Sequence, residues 1–234
     1  MFVLPITVYL LAGALEPSHD EPGGKLLGLS LPYSAYPLIY SAKIALTLAA
    51  IGFVLPGYRQ FRRPPGMLAL LVGAVGIVVW IGLWWLSGRI GLTDLLSKVP
   101  GYGSRPAYNP QESPLAASPA WSCTFLGIRF FGLVVVVPVI EEFFLRGFLM
   151  RLAMDGDWWK VPFGAVNPAA VLVSIVVPVL SHQPGEFLAA AVWFGMVTWL
   201  MVRTRNLWDC VAAHAVTNLL LGIYVVTQHQ WELW

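Results

Sequence analysis

The chain has 234 residues, of which 58% are apolar or aromatic and only 11% are charged, and its mean hydropathy is +0.71. A soluble domain usually carries about 25% charged residues, so this composition indicates a protein embedded in a lipid bilayer. It excludes a secreted disulfide scaffold, a disordered chain and a nucleic-acid-binding domain, and the formal net charge of +2 is too small to indicate an acidic partner. We therefore expect a single integral membrane domain over residues 1–234, in contact with the bilayer and not with nucleic acid.

Apolar runs bounded by charges, Pro and Gly predict about seven (six to eight) transmembrane helices. A link rich in Pro, Gly and Ser over 88–120 separates the amino-terminal spans and loop, 1–120, from a carboxy-terminal core, 121–228. The predicted fold class is all-α, a polytopic bundle of transmembrane helices. In chain order, the predicted spans cover about 2–15, 34–55, 67–87, 121–152, 167–182, 186–202 and 206–227.

Loop cations indicate the orientation, because Lys and Arg near the ends of spans are kept preferentially in the cytoplasm. In the seven-span arrangement, the more basic side carries Arg59, Arg62, Arg63, Arg151, Lys160, Arg203 and Arg205. The opposite side carries Lys25, Arg89, Lys98 and Arg105. Seven cations against four predict a multi-pass protein of the cell (inner) membrane with a cytoplasmic amino terminus.

The fourth predicted span carries three ionisable residues, Glu141, Glu142 and Arg146. Each costs at least about 2.5–3.5 kcal/mol to insert into a bilayer, so charges inside a span indicate a functional site. Glu142 and Arg146 are one helical turn apart with the acid first, which is the favourable order for an ion pair. Glu141 lies about 100° further round the helix and has no local partner, so it is available for acid/base chemistry.

Two histidines and an asparagine follow in the later spans, namely His182, His214 and Asn218. His214 and Asn218 are four residues apart and project from one face of the last helix. Counted from the cytoplasmic ends at 1.5 Å per residue, these three residues and Glu142 lie roughly 12–22 Å deep. A lone His in an apolar helix is usually a core residue, but the shared depth of the set predicts an active site in a cavity within the membrane.

More than one chemistry suits these groups. A carboxylate beside an imidazole can deprotonate water, while a second imidazole and a carboxamide can hydrogen-bond the oxyanion that develops during peptide hydrolysis. A zinc ion held by Glu141, His182 and His214 could instead activate the water. A thiolate–imidazole pair of Cys210 and His214, and a proton or ion relay through Glu141, Glu142 and His182, are further alternatives.

Three short sequence motifs, taken in chain order, resemble those of a known protein family. The segment EEFFLRG at 141–147 contains E-E-x-x-x-R, His182 ends the next apolar run where F-x-x-x-H is expected, and His214 with Asn218 forms H-x-x-x-N. Together, over about 121–225, they resemble the CPBP intramembrane proteases, also called the type II CAAX prenyl endopeptidase or Ras-converting endopeptidase-like family. The small size and the spacing are also similar to the CAAX protease-related branch found beside exosortase-type sorting systems.

The resemblance implies a glutamate protease that requires no cofactor, although a metalloprotease mechanism has also been proposed for the family and leaves zinc as an alternative. It implies a membrane-associated protein or peptide as substrate, with a prenylated CAAX-type protein as one option. The roles implied are a general base, Glu141, helped by His182; an oxyanion site of His214 and Asn218; and an orienting pair of Glu142 and Arg146.

One position departs from the family pattern, because Pro178 stands where F-x-x-x-H has its Phe. A proline inside a helix bends it, so we expect a re-aimed His182 or a wider cavity. A function without catalysis also remains open: the polar core could serve partner recognition in a membrane immunity factor or a sorting-system scaffold.

Overall fold

A computed structural model describes residues 1–18, 22–61, 63–96, 98, 108–110 and 118–233. Over these residues the chain is all-α, with eight helices and no strand. Arg62, Arg105 and part of the link over 88–120 lie outside the described residues. The helices are α1 (Leu4–Gly13), α2 (Tyr36–Tyr58), α3 (Met67–Arg89), α4 (Leu92–Leu96), α5 (Pro119–Leu152), α6 (Pro168–Leu180), α7 (Phe187–Thr204) and α8 (Leu207–Gln228).

Five of these helices, α2, α3, α5, α7 and α8, are long and apolar enough to cross a membrane. A helix coincides with each of the seven predicted spans, so the predicted all-α polytopic fold is confirmed. The helices in the first and fifth spans, α1 and α6, are shorter than predicted, with only 10 and 13 residues. At 1.5 Å per residue they extend about 15 and 20 Å, against about 30 Å for the hydrocarbon core of a bilayer.

Local sequence explains where α6 begins. Pro168 occupies its first turn, where a missing N–H costs nothing, and Asn167 caps the helix by accepting a hydrogen bond from the Ala170 N–H at 2.8 Å. The helix then runs through the internal Pro178 and ends at Leu180. These boundaries place His182 just beyond the carboxyl end of α6.

The chain divides into two compact units, and each unit combines separate stretches of sequence. The first unit comprises Met1–Gln60, Pro106–Ile140 and Leu221–Trp234. The second comprises Phe61–Arg105 and Glu141–Leu220, and it contains every predicted site residue.

Within the first unit, two cations that lie inside the predicted spans are buried and have partners. Lys43 pairs with Glu16 at 2.6 Å, and its ammonium lies 4.7 Å from the centroid of the Tyr40 ring. The Arg129 guanidinium donates to the Tyr36 hydroxyl and lies 5.1 Å from the centroid of the Tyr40 ring. Ion pairing and cation–π contacts therefore offset the cost of burying both charges.

Within the second unit, α3 packs against α7 and reaches α8 through two glycines. A Cβ atom on Gly73 would lie 2.6 Å from the Ala213 carbonyl oxygen, and one on Gly76 would lie 2.7 Å from Nε1 of Trp193. Both distances are too short for a real side chain, so the small residues permit the close approach of the helices.

Helix α5 is continuous from Pro119 to Leu152 but contains two π-helical segments, Gly132–Val136 and Leu145–Leu149. The first immediately precedes the turn that contains Pro138, whose ring would clash with the carbonyl of the preceding turn in a regular α-helix. A wider turn at that point relieves the clash. Glu141 and Glu142 lie on the regular segment between the two π segments, whereas Arg146 lies in the second.

Candidate active site

Glu142 is the most enclosed carboxylate of the site, and both of its oxygens have partners. Its side chain and that of Arg146 are fully buried, and Oε2 of Glu142 pairs with the Arg146 guanidinium. Its second oxygen, Oε1, lies 3.0 Å from Nδ1 of His214. Arg146 also reaches the Phe194 carbonyl oxygen at 3.4 Å. Glu142 therefore connects α5 to α8 and has no oxygen left for a substrate.

Glu141 occupies a different environment, although it is the adjacent residue. Its side chain is 34% exposed, and its Oε2 lies 4.0 Å from Nε2 of His214. That separation exceeds a hydrogen bond and is typical of groups that a water molecule bridges. Glu141 also interacts electrostatically with His182. It is thus the more accessible of the two adjacent carboxylates, with the His214 imidazole near it.

The hydrogen-bond partners of the two imidazoles assign their tautomers. Nδ1 of His182 lies 2.7 Å from the Pro178 carbonyl oxygen, which can only accept a hydrogen bond. Nδ1 of His214 faces Oε1 of Glu142, an oxygen of a carboxylate whose other oxygen, Oε2, is paired with the Arg146 guanidinium. Each Nδ1 therefore carries a proton, so that Nε2 is the nitrogen with the lone pair whenever the ring is neutral.

Pro178 holds His182 through its backbone. Its carbonyl oxygen accepts the Nδ1–H of His182 and also the backbone N–H and the hydroxyl of Ser181, at 3.0 and 2.7 Å. Carbonyls in the last turn of a helix have no partner further along the helix, so this oxygen is available. Any residue at position 178 could supply the same carbonyl, and the bond does not depend on the prolyl ring.

Three aromatic side chains, none of them predicted from the sequence, enclose the histidines. The ring centroids of Trp80 and Phe194 lie 5.3 and 5.8 Å from that of His182. Trp193 packs edge-on to His214 with centroids 4.6 Å apart, and Phe194 lies 6.4 Å from the same ring. Phe194 thus contacts both imidazoles and places them in one cluster. In sequence, these aromatics cannot be distinguished from ordinary core residues of apolar helices.

Asn218 lies one turn after His214 on α8 and is half-buried. Cys210, one turn before His214, is fully buried, and its thiol lies 3.7 Å from the Asn206 carbonyl oxygen and 4.0 Å from that of Val197. The thiol is therefore directed at backbone carbonyls, which gives no support to a thiolate–imidazole pair.

The arrangement of the side chains bears on the alternative of a zinc ion held by Glu141, His182 and His214. Within the described ranges, no group of three or more His, Cys, Asp or Glu side chains is arranged to hold a metal ion. Nδ1 of His214 and both oxygens of Glu142 already have partners. A metal bound to Glu141, His182 and His214 would need both Nε2 atoms and a carboxylate brought together by movement of the side chains.

Comparison with protein families gives a match over the carboxy-terminal part of the chain. Residues 124–220 match the family of Rce1-like type II CAAX prenyl endopeptidases. That match confirms the family resemblance. The matched segment contains all six predicted site residues, whereas α3 with Trp80 lies outside it. The five long apolar helices indicate a multi-pass membrane protein, and its matched segment is similar to membrane proteases. Comparison with curated proteins and with solved structures gave no match.

Proposed function

We propose that the protein is an intramembrane endopeptidase of the glutamate type, which hydrolyses a peptide bond of a membrane-associated protein with water activated by Glu141. The observation that carries the proposal is the contrast between the two adjacent acids. Glu142 is fully buried with both oxygens occupied, whereas Glu141 is 34% exposed and lies 4.0 Å from Nε2 of His214. Of these two acids, only Glu141 has the free surface that a general base needs to meet water and substrate.

In the proposed reaction, Glu141 accepts a proton from water as the water oxygen attacks the scissile carbonyl carbon. The same carboxyl then delivers that proton to the amide nitrogen as the carbon–nitrogen bond breaks. His182 assists by accepting a hydrogen bond from the water at Nε2, because its Nδ1–H is held by the Pro178 carbonyl. In this mechanism, the Glu141 carboxylate and Nε2 of His182 each accept a hydrogen bond from the attacking water.

The oxyanion would be bound by Asn218 and His214. The carboxamide of Asn218 can donate in any protonation state, but Nε2 of His214 donates only from the imidazolium form because Nδ1 is bonded to Glu142. This role therefore requires a protonated His214, with Glu142 at one nitrogen and Glu141 near the other. Glu142 and Arg146 act as positioning residues for that ring.

The proposed substrate is a protein anchored in or at the membrane, and a prenylated CAAX-type peptide is the first probe to test. The expected setting is the cell membrane with the amino terminus in the cytoplasm. Mass spectrometry of membrane peptides from cells with the wild-type protein or with Glu141→Gln would identify the natural cleavage site.

The first prediction concerns Glu141→Gln, which keeps the shape of the side chain and removes the base. With purified protein in proteoliposomes and an internally quenched prenylated CAAX peptide, we expect cleavage to fall by at least about 10²-fold. The melting temperature should remain that of the wild type. Glu232→Gln, at an exposed position outside the site, is the matched control and should cleave normally. Full activity of Glu141→Gln would contradict the mechanism.

The same assay separates the alternatives. Activity that survives a chelator supports the metal-free mechanism, whereas loss reversed by added zinc would assign the chemistry to a metal held by Glu141, His182 and His214. If Glu141→Gln still restores the phenotype of cells that lack the protein, the result would favour the immunity or sorting-system scaffold. Proton flux into the proteoliposomes would favour the relay.

A further inference from the structure

The hydrogen bond to Glu142 alone does not fix the ring orientation that the proposed role of His214 requires. The Nδ1 bond to Glu142 fixes one atom of the ring, but a single hydrogen bond leaves the ring plane free to tilt about that atom. Nε2, the atom directed at the reaction, lies on the opposite side of the ring from this bond. A second contact is therefore needed to fix the direction in which Nε2 points.

Trp193 supplies a contact of this kind. Its indole packs against His214 with the ring planes 66° apart and the centroids 4.6 Å apart, an edge-to-face arrangement that restricts rotation of both rings. The indole itself is fixed because its N–H donates to the Thr217 hydroxyl oxygen at 3.1 Å. Trp193 is almost completely buried, so no other orientation is available to it without repacking.

The Thr217 hydroxyl links Trp193 to α3. Its oxygen lies 2.9 Å from the Gly73 carbonyl oxygen on α3 and 3.0 Å from the Ala213 carbonyl oxygen on α8. The hydroxyl shares its one proton between these carbonyls and accepts a hydrogen bond from the Trp193 N–H. A Cβ atom on Gly76 would lie 2.8 Å from the same hydroxyl oxygen and 2.7 Å from the indole nitrogen. The glycine therefore leaves the space in which the bond between Trp193 and Thr217 forms.

We propose that Thr217 and Trp193 are positioning residues that fix the ring plane of His214, so that α3, which lies outside the family-matched segment, completes the active site through Gly73 and Gly76. The inference rests on the proposed protease function for its effect on turnover. The two hydrogen bonds require a hydroxyl at position 217. The side chain must accept from an indole N–H and donate to a carbonyl, and only a hydroxyl does both at this size.

Thr217→Val tests the proposal because it keeps the shape of the side chain and removes the hydroxyl. We expect kcat for the prenylated CAAX peptide to fall about tenfold with KM within about twofold, since a misdirected Nε2 weakens the transition state and not the binding of the peptide. Thr217→Ser should restore kcat. Thr47→Val is the matched control, because Thr47 is equally buried but donates only to the Lys43 carbonyl in its own helix.

A second measurement does not depend on cleavage. In protein labelled with ¹⁵N-histidine, with the His214 signal assigned by its loss in His214→Asn, we expect that signal to broaden in Thr217→Val and to sharpen again in Thr217→Ser. If the wild type cleaves neither the peptide nor, by mass spectrometry of membrane peptides, any membrane protein, the proposed function fails while this measurement still decides the inference. An unchanged signal and kcat in Thr217→Val, or a fall in kcat that Thr217→Ser does not reverse, would overturn it.

Discussion

At the scale of single residues, Glu141 and Glu142 differ because of contacts that come from distant parts of the chain. The ion pair between Glu142 and Arg146 follows from spacing within one helix, and sequence alone predicts it. The bond from His214 to Glu142 joins residues 72 positions apart, and nothing local indicates which of the two acids receives it. The sequence therefore predicts candidate members of the site, but the assignment of their partners requires the fold.

The buried ion pair leads to a prediction about stability. Arg146→Met removes the guanidinium but leaves Glu142 fully buried and charged, so we expect the free energy of unfolding to fall by about 3–5 kcal/mol. Unfolding by denaturant in detergent micelles measures the change. Arg203→Met, an exposed arginine at the end of α7, should change the stability little and serves as the control.

The double variant Glu142→Gln with Arg146→Met provides the complementary test. Both charges are then absent, and the glutamine oxygen can still accept from Nδ1 of His214, so we expect most of the lost stability to return. Activity should stay low because an amide holds the imidazolium form of His214 less strongly than a carboxylate does. A double variant as unstable as Arg146→Met alone would contradict the ion-pair explanation.

At the scale of the helix, substitution of two glycines of α3 by alanine should change the stability in opposite directions. Gly76→Ala places a methyl group within 2.8 Å of both Trp193 and Thr217, so we expect a loss of about 1–3 kcal/mol in the free energy of unfolding. Gly82→Ala, on the same helix, meets nothing within 4 Å and should stabilise the helix by up to about 1 kcal/mol. Equal effects of the two substitutions on the melting temperature would contradict close packing at Gly76.

The end of α5 adds a structural role to one cation of the count along the sequence. Arg151 is grouped there with the loop cations, but in the structure it lies in the last turn of α5 and is buried. Its guanidinium donates to the carbonyl oxygens of Gly147, Trp159 and Val161 at 2.9–3.2 Å. Hydropathy identifies a charge near a span end, but it does not show that the following loop folds back over that charge, because this depends on packing.

At the scale of the whole molecule, hydropathy predicts which segments are helical, because backbone groups in a bilayer must be satisfied within each helix. It overestimates the first and fifth segments, where α1 and α6 are limited to 10 and 13 residues. It also gives no account of how Lys43 is stabilised inside α2, since Glu16, its partner, lies outside the span. What the sequence leaves undetermined is therefore chiefly the pairing between segments.

The orientation of the chain is open to a direct labelling test. In a Cys123→Ser background, which removes the exposed cysteine, we expect Gln60→Cys to react with a membrane-impermeant maleimide only after cell lysis. Leu29→Cys, on the opposite side of α2, should react in intact cells. Cys210 is buried and serves as an internal unlabelled site. The reverse pattern would place Gln60 outside the cytoplasm and contradict the predicted orientation.

The short helix α6 has a consequence for the supply of water to the reaction. At about 20 Å, it cannot match a hydrocarbon layer of about 30 Å, and such a mismatch is relieved by local thinning of the bilayer. The carboxyl end of α6 is followed at once by Ser181 and His182. We expect the headgroup region to dip towards that end, so that water for the proposed hydrolysis reaches the half-buried His182 without a dedicated channel.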